Sequence, residues 1–166
     1  MNNTYYLMRH GEYNKTSFLD TRKSLKENPL KKESEKEILI RFEKTELKKD
    51  EIIIFCSDYL RTIQTAEIIS NKYIKRKELR ERETYMLDSN ELEEGFEISN
   101  YNNLILAEET KDHFIERINS FIKEIENKFS NENIFLITHQ DTAEVIQAIF
   151  KKSPLLLRTS EIIKLN

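Results

Sequence analysis

Apolar and polar positions along the chain fall into short blocks whose period changes from one block to the next. Thr4 to Met8 is a short apolar run with two tyrosines, the pattern of a buried strand. Residues 11–29 are polar and irregular and close on Asn28-Pro29, a loop signal. From Lys32 to about Lys48, the spacing of Ile38, Leu39, Phe42 and Leu47 predicts a helix with one buried stripe. Glu51 to Cys56 reads as a second strand. Asp58 then stands as the N-cap of a helix to about Tyr73, buried through Leu60, Ile63, Ala66 and Ile69. Glu78 to Arg82 reads as a short third strand, and Thr84 to Glu109, with no clean period, as an irregular excursion. Lys111 to Phe129 is the most regular segment, with Phe114, Ile118, Phe121, Ile122, Ile125 and Phe129 on one helical face. A strand over Ile134 to Thr138 and a helix from Asp141 to about Lys151 follow. Ser153-Pro154 breaks that helix, and Glu161 to Leu165 is a final strand.

Strands alternating with helices predict an α/β fold, a three-layer α/β/α sandwich around a central, mostly parallel sheet. A length of 166 residues without repeats or low-complexity linkers fits a single domain over 1–166. With 38% hydrophobic and 34% charged residues the chain can close a core, which argues against disorder. A net charge of -3 gives no global basic signature for nucleic acid, and the basic runs Lys23 to Lys32 and Lys72 to Arg82 carry interleaved acids, as solvated faces do. No apolar stretch approaches the ~20 residues of a membrane helix, and the first strand begins too early to leave room for a signal peptide. A lone cysteine, Cys56, ends an apolar run and reads as a small buried hydrophobe. These features together predict a cytoplasmic protein. Leu155-Leu156-Leu157 reads as core, with a dimer contact as the alternative.

In open α/β sheets, ligands bind beyond the carboxyl ends of the strands, often at helix N-termini. Two of the three histidines fall there: His10 directly after the first strand and His139 directly after Ile134 to Thr138. His113 lies in the first turn of a surface helix and reads as solvated.

His10 sits in Leu7-Met8-Arg9-His10-Gly11-Glu12, whose Arg-His-Gly resembles the motif ending the first strand of the histidine phosphatase superfamily, also called the phosphoglycerate-mutase-like family. Ser57-Asp58-Tyr59-Leu60-Arg61-Thr62-Ile63-Gln64-Thr65-Ala66 resembles that family's second motif, a serine followed by Arg-x-x-Gln-Thr-Ala entering a helix. Leu79-Arg80-Glu81-Arg82 is similar to the segment supplying its acidic residue, and Ile137-Thr138-His139-Gln140-Asp141-Thr142 to its second-histidine motif. Asn28-Pro29-Leu30 matches the proline-leucine that opens the first helix, and Glu161 to Leu165 the strand after the second histidine. The motifs stand in family order and span nearly the whole chain.

The resemblance implies a phosphoglycerate-mutase-like fold and a phosphatase that hydrolyses phosphomonoesters through a phosphohistidine on His10. A neutral imidazole can attack phosphorus when one ring nitrogen is free and the other is held by an acceptor. Gly11 is expected to bring the backbone close to phosphate in a conformation barred to other residues. Arg9 and Arg61 can each offer a planar fork to phosphoryl oxygens, and His139, if protonated, a further cationic donor. Glu81 occupies the position of the general acid and base, with Glu83 as its competitor. Departures from the family pattern are Gln140, where glycine usually follows the second histidine, and Thr84-Tyr85-Met86-Leu87 in place of a glycine-rich stretch. Gln140 can still offer its backbone N–H to phosphate while its side chain narrows the pocket. Asn14 also lies closer to Glu12 than the family's usual asparagine.

The substrate expected is a phosphorylated small molecule or phosphoprotein. Phosphoglycerate mutase, protein-phosphohistidine phosphatase and a non-catalytic phosphate-binding module are the alternatives. No cofactor is expected, and a metal site on His10 and His139 is disfavoured by the neighbouring arginines and the lack of zinc-type ligand spacing.

Overall fold

The computed structural model describes residues 2–14, 26–82, 84–86, 105–107 and 109–166, with 84–86 and 105–107 described by their backbone. Its centre is a five-stranded sheet. The strands are β1 (Thr4–Arg9), β2 (Ile52–Cys56), β3 (Ile74–Lys75), β6 (Asn133–Thr138) and β7 (Ile162–Lys164), in the order β3-β2-β6-β1-β7. β1, β6, β2 and β3 run parallel, and β7 lies antiparallel on β1.

Strict alternation along the central strands divides the core in two. Tyr5 and Leu7 of β1, Phe55 of β2 and Ile134 and Leu136 of β6 point to one face. There they meet α3 (Lys111–Lys128) through Phe114, Ile118, Phe121, Ile122 and Ile125, and α4 (Gln140–Ile149) through Ala143 and Ile146. Met8, Ile54, Cys56, Phe135 and Ile137 point the other way, onto Ile38 and Phe42 of α1 (Ser34–Glu43) and Ala66 and Ile69 of α2 (Leu60–Ile69). Each such fully buried Leu, Ile or Phe contributes roughly 1.5–3 kcal/mol, so both layers are held firmly against the sheet. The predicted α/β/α sandwich is the observed architecture. Among the described residues, no helix is long and apolar enough to cross a membrane.

Several elements differ locally from the sequence expectation. Glu78 to Arg82 does not form the third strand. That strand is Ile74–Lys75 beside β2, and Lys77–Leu79 makes a 3-10 turn that drives Leu79 fully into the core. α2 accordingly stops at Ile69, with Ser70 already extended, instead of running on to Tyr73. Asp58 does not cap α2. Tyr59 takes that place without a side-chain capping bond, because both Asp58 carboxylate oxygens accept from Arg80, at 2.7 Å from Nε and 2.6 Å from Nη2. α1 is shorter than the apolar stripe suggested, and Glu46, in the left-handed region at φ 59°, lies in the turn that follows it. Of the three consecutive leucines only Leu157 is buried, while Leu155 and Leu156 are 59% and 76% exposed. Within the excursion from Thr84 to Glu109, β4 (Thr84–Met86) and β5 (Ile105–Ala107) pair antiparallel. Most of the remainder of the excursion, and Glu83, lie outside the described residues.

Cys56 is buried, and that burial pushes its thiol up to about 12, so it is the inert hydrophobe its position suggested. His113 is exposed in the first turn of α3, as expected.

Candidate active site

The parallel order brings the carboxyl ends of β1, β2 and β6 side by side, and the ladder runs one residue beyond the strands. The His10 N–H donates to the Thr138 carbonyl at 3.0 Å, and Ser57 N–H to the Ile137 carbonyl at 3.1 Å. His10 and His139 therefore leave adjacent strands at the same level, with ring centroids 5.2 Å apart. His10 is 3% exposed and His139 0%. Arg61, in the first turn of α2, reaches between them. Its Nε donates to His10 Nε2 at 3.1 Å, and its Nη2 to His139 Nδ1 at 3.0 Å. Tyr13 and Tyr59 flank the guanidinium, which stands 4.8 Å from one ring centroid and 5.1 Å from the other.

These partners settle both tautomers. A guanidinium only donates, so the nitrogens it touches carry lone pairs. His10 then holds its proton on Nδ1, which donates to the Gly11 carbonyl at 2.7 Å, and Nε2 is the nitrogen with nucleophilic character. His139 holds its proton on Nε2, a buried donor with no hydrogen-bond partner among the described residues. Burial, and after it Arg61, pushes the His10 imidazole down to about 3. Burial, Arg61 and His10 likewise hold His139 well below its ordinary value. Burial and the positive charge of the neighbouring arginines oppose a second proton on His139, so the ring is a neutral donor through one N–H and the condition for a cationic donor is not met in this pocket.

Arg9 lies at the end of β1 and Gln140 at the start of α4, beside the histidines. Arg9 Nη1 donates to the Leu157 carbonyl at 2.8 Å and to Gln140 Oε1 at 3.3 Å, while its buried Nε has no partner among the described residues. Gln140 Nε2 donates to Glu144 at 2.6 Å. Gly11 does not take the special backbone conformation expected of it. Its φ lies outside the left-handed region, and a Cβ on it would stand 2.8 Å from Ile38 Cδ1 and 3.2 Å from Leu30 Cδ2 and Ser34 Cβ. Its N–H is taken by Thr65 Oγ1 at 3.1 Å. Gly11 thus anchors His10 and admits α1, and its amide is already committed.

Glu81 meets the N-terminus of α4, where its Oε1 accepts the Asp141 and Thr142 N–H groups at 3.0 and 3.2 Å. Burial, and then the Asp141 carboxylate, raises it to about 7, against the opposing pull of the Thr142 N–H and Arg61. The segment bearing it is tied down on three sides. Thr138 and Thr142 hydroxyls donate to the Leu79 and Arg80 carbonyls, both at 2.7 Å. Arg80 is held by Asp58. Arg117 of α3, paired with Glu109 at 2.7 Å through both Nε and Nη2, donates to the Glu78 and Arg80 carbonyls.

The second sequence motif resolves into separate tasks. Arg61 bridges the histidines, Gln64 Oε1 accepts the Leu30 N–H at 2.7 Å, and Thr65 Oγ1 donates to the Arg61 carbonyl at 2.7 Å while holding Gly11. Four contributors were not singled out from sequence: Tyr13, Tyr59, Arg117 and Ser160. Ser160 N–H donates at 3.1 Å to the carbonyls of both Arg9 and His10 from a left-handed backbone, φ 63°. Nothing local marks such a residue. The arrangement as a whole offers an unprotonated imidazole, buried donors for an anion and a carboxyl that changes charge near neutrality. Among the described residues there is no cluster of His, Cys, Asp and Glu suited to a metal ion.

Comparison with known proteins gives a consistent picture. The family model of the histidine phosphatase superfamily (branch 1) matches residues 5–160. No curated protein matches the chain. Among solved structures, it resembles the protein histidine phosphatase SixA complexed with tungstate, with a TM-score of 0.63 at 15% identity over 97% of this chain and 86% of that one. It resembles open reading frame Rv3214 from Mycobacterium tuberculosis with a TM-score of 0.66 at 16% identity, over 98% of this chain and 90% of that one. The phosphoglycerate mutase from Thermus thermophilus gives 0.60 at 20% identity, over 97% and 91%. At these identities the likeness is one of fold.

Proposed function

The chain belongs to the histidine phosphatase superfamily (branch 1), and on that premise we propose that it hydrolyses phosphomonoesters through a phosphohistidine formed on His10. The observation that carries this reading is the state of His10, whose Nδ1 is tied to the Gly11 carbonyl so that Nε2 keeps its lone pair in a pocket of cationic and neutral donors. The substrate class is a phosphorylated small molecule or a phosphoprotein.

The phosphoryl oxygens of the entering ester compete for Arg61, which releases His10 Nε2 and keeps its charge on the anion. Arg9 Nε and His139 Nε2–H, both buried without partners among the described residues, supply further donors. His10 Nε2 attacks phosphorus, the ester P–O bond breaks, and Glu81 gives its proton to the leaving oxygen. Glu81, now a carboxylate, accepts a proton from water as that water attacks the phosphohistidine. Inorganic phosphate and neutral His10 result, with Glu81 protonated again.

Hydrolysis of an aryl phosphate by the parent chain beside His10→Ala tests the proposal. The expected result is turnover and acid-labile phosphate labelling in the parent, with a loss of roughly 10³-fold or more and no label in the variant. Equal activity in both would overturn it. No turnover in a parent that still binds orthovanadate would instead identify a phosphate-binding module.

A further inference from the structure

Among the groups outside this reaction scheme, the Gln140 side chain stands out by its partners. It begins α4, one residue after His139, and it is bonded at both ends. Its Nε2 donates to Glu144 at 2.6 Å, one helical turn on. A carboxylate only accepts, so this bond sets the orientation of the amide and turns Oε1 toward Arg9. There Oε1 accepts from Arg9 Nη1 at 3.3 Å, while the Leu157 carbonyl takes the same nitrogen at 2.8 Å.

A guanidinium has a bidentate edge formed by Nε and Nη2, and that edge makes no hydrogen bond among the described residues. Nε is fully buried. Both acceptors thus hold the far corner of the plane and leave the two-donor edge for an oxyanion. Leu157 alone would act as a pivot. A second acceptor on the same nitrogen restrains rotation about it, and the Glu144 bond restrains the acceptor in turn.

From this relay, Glu144 to Gln140 to Arg9, we infer that Gln140 is a positioning residue that aims the Nε–Nη2 edge of Arg9 at the substrate's phosphoryl group. The inference rests on the reading of this pocket as a phosphate site. It gives the side chain a binding role through Arg9 and none in bond breaking.

The test is a double-mutant cycle with Gln140→Met, which keeps length and removes the acceptor, and Arg9→Ala, read on binding of orthovanadate and inorganic phosphate by calorimetry. In the Arg9 background, Gln140→Met should weaken binding roughly three- to tenfold, the worth of one ordinary hydrogen bond, because the 3.3 Å contact is long and Nη1 keeps the Leu157 carbonyl. In the Arg9→Ala background it should change binding by less than about 1.5-fold. With an aryl phosphate, the loss should appear in KM with kcat nearly unchanged. Gln140→Glu, which retains an acceptor oxygen, should recover part of the affinity. An equal loss in both backgrounds, or no loss in either, would overturn the inference, as would a loss confined to kcat. Should Gln140→Met fail to fold, Glu144→Ala, which removes the partner orienting the Gln140 amide, takes its place in the cycle with Arg9→Ala, with the same outcomes for and against. Failure of the parent to bind either anion would remove the phosphate-site reading and this inference together. Binding without coupling would remove this inference alone.

Discussion

At His10 and Glu81, loss of water moves two pKa values in opposite directions. Burial lowers the imidazole to about 3 because it disfavours the cation, and raises the carboxyl to about 7 because it disfavours the anion. Near neutral pH one group is therefore an unprotonated base and the other still holds a proton to give, which is the separation a nucleophile and a general acid need. On the proposed mechanism, kcat/KM, corrected for the substrate's own ionisation, should be flat in mildly acidic solution and fall as pH rises through about 7, when Glu81 loses its proton. Glu81→Gln should abolish that limb and lower the rate by roughly 10²- to 10⁴-fold. A limb that persists in the variant would assign it to another group, with Glu83 the first to examine. The sequence placed Glu81 beside the site but could not show its surroundings. Its pKa depends on the α4 N-terminus and on Asp141, which lies 60 residues away along the chain.

Elements in this fold are seated by single residues, and Gly11 shows how. α1 lies against the end of β1 so closely that a methyl group at Gly11 would meet Ile38 Cδ1 at 2.8 Å. Gly11→Ala is expected to cost about 1–3 kcal/mol through overpacking. Adding Ile38→Val, which deletes the obstructing Cδ1, should restore part of that loss even though the valine change alone costs about 0.5–1.5 kcal/mol. Urea midpoints of the two single variants and the double variant check this, and simple additivity would show that the crowding lies elsewhere. Strands and helices were legible because their apolar periods differ, with helical spacing along Phe114 to Ile125 and a short continuous run along Ile134 to Ile137. The Arg-x-x-Gln-Thr-Ala residues were legible as a motif but not as separate tasks. What stayed hidden was every choice between competing partners. Asp58 has the chemistry of an N-cap, yet the guanidinium of Arg80 offers it two charge-assisted bonds where the helix offers amides. Gln140 likewise reads as a departure until Arg9 and Glu144 are seen on either side of it.

For the whole molecule, burying two neutral imidazoles links stability to pH. Both His10 and His139 have folded pKa values depressed below the ordinary 6.5, so below that pH the unfolded chain binds two protons the folded chain refuses. Glu81 acts in the opposite sense, because its folded pKa of about 7 lies above the ordinary 4.5 and folding takes up a proton in between. From pH 6.5 down to about 4.5 the two imidazoles oppose folding while Glu81, and with it the raised Asp141 carboxyl, favours it, and with the imidazoles prevailing stability should fall as pH falls. Urea unfolding across this range measures the slope. Glu81→Gln should steepen it, His10→Gln should flatten it, and a flat profile in the parent would mean that the imidazoles can charge without unfolding. A different consequence follows from Ser160, whose amide braces the carbonyls of Arg9 and His10. Ser160 stands 150 residues beyond His10 along the chain, so the brace forms only when distant segments are brought together. During synthesis His10 therefore emerges before its support, and the proposed pocket is completed only after residues 157–160 have been made.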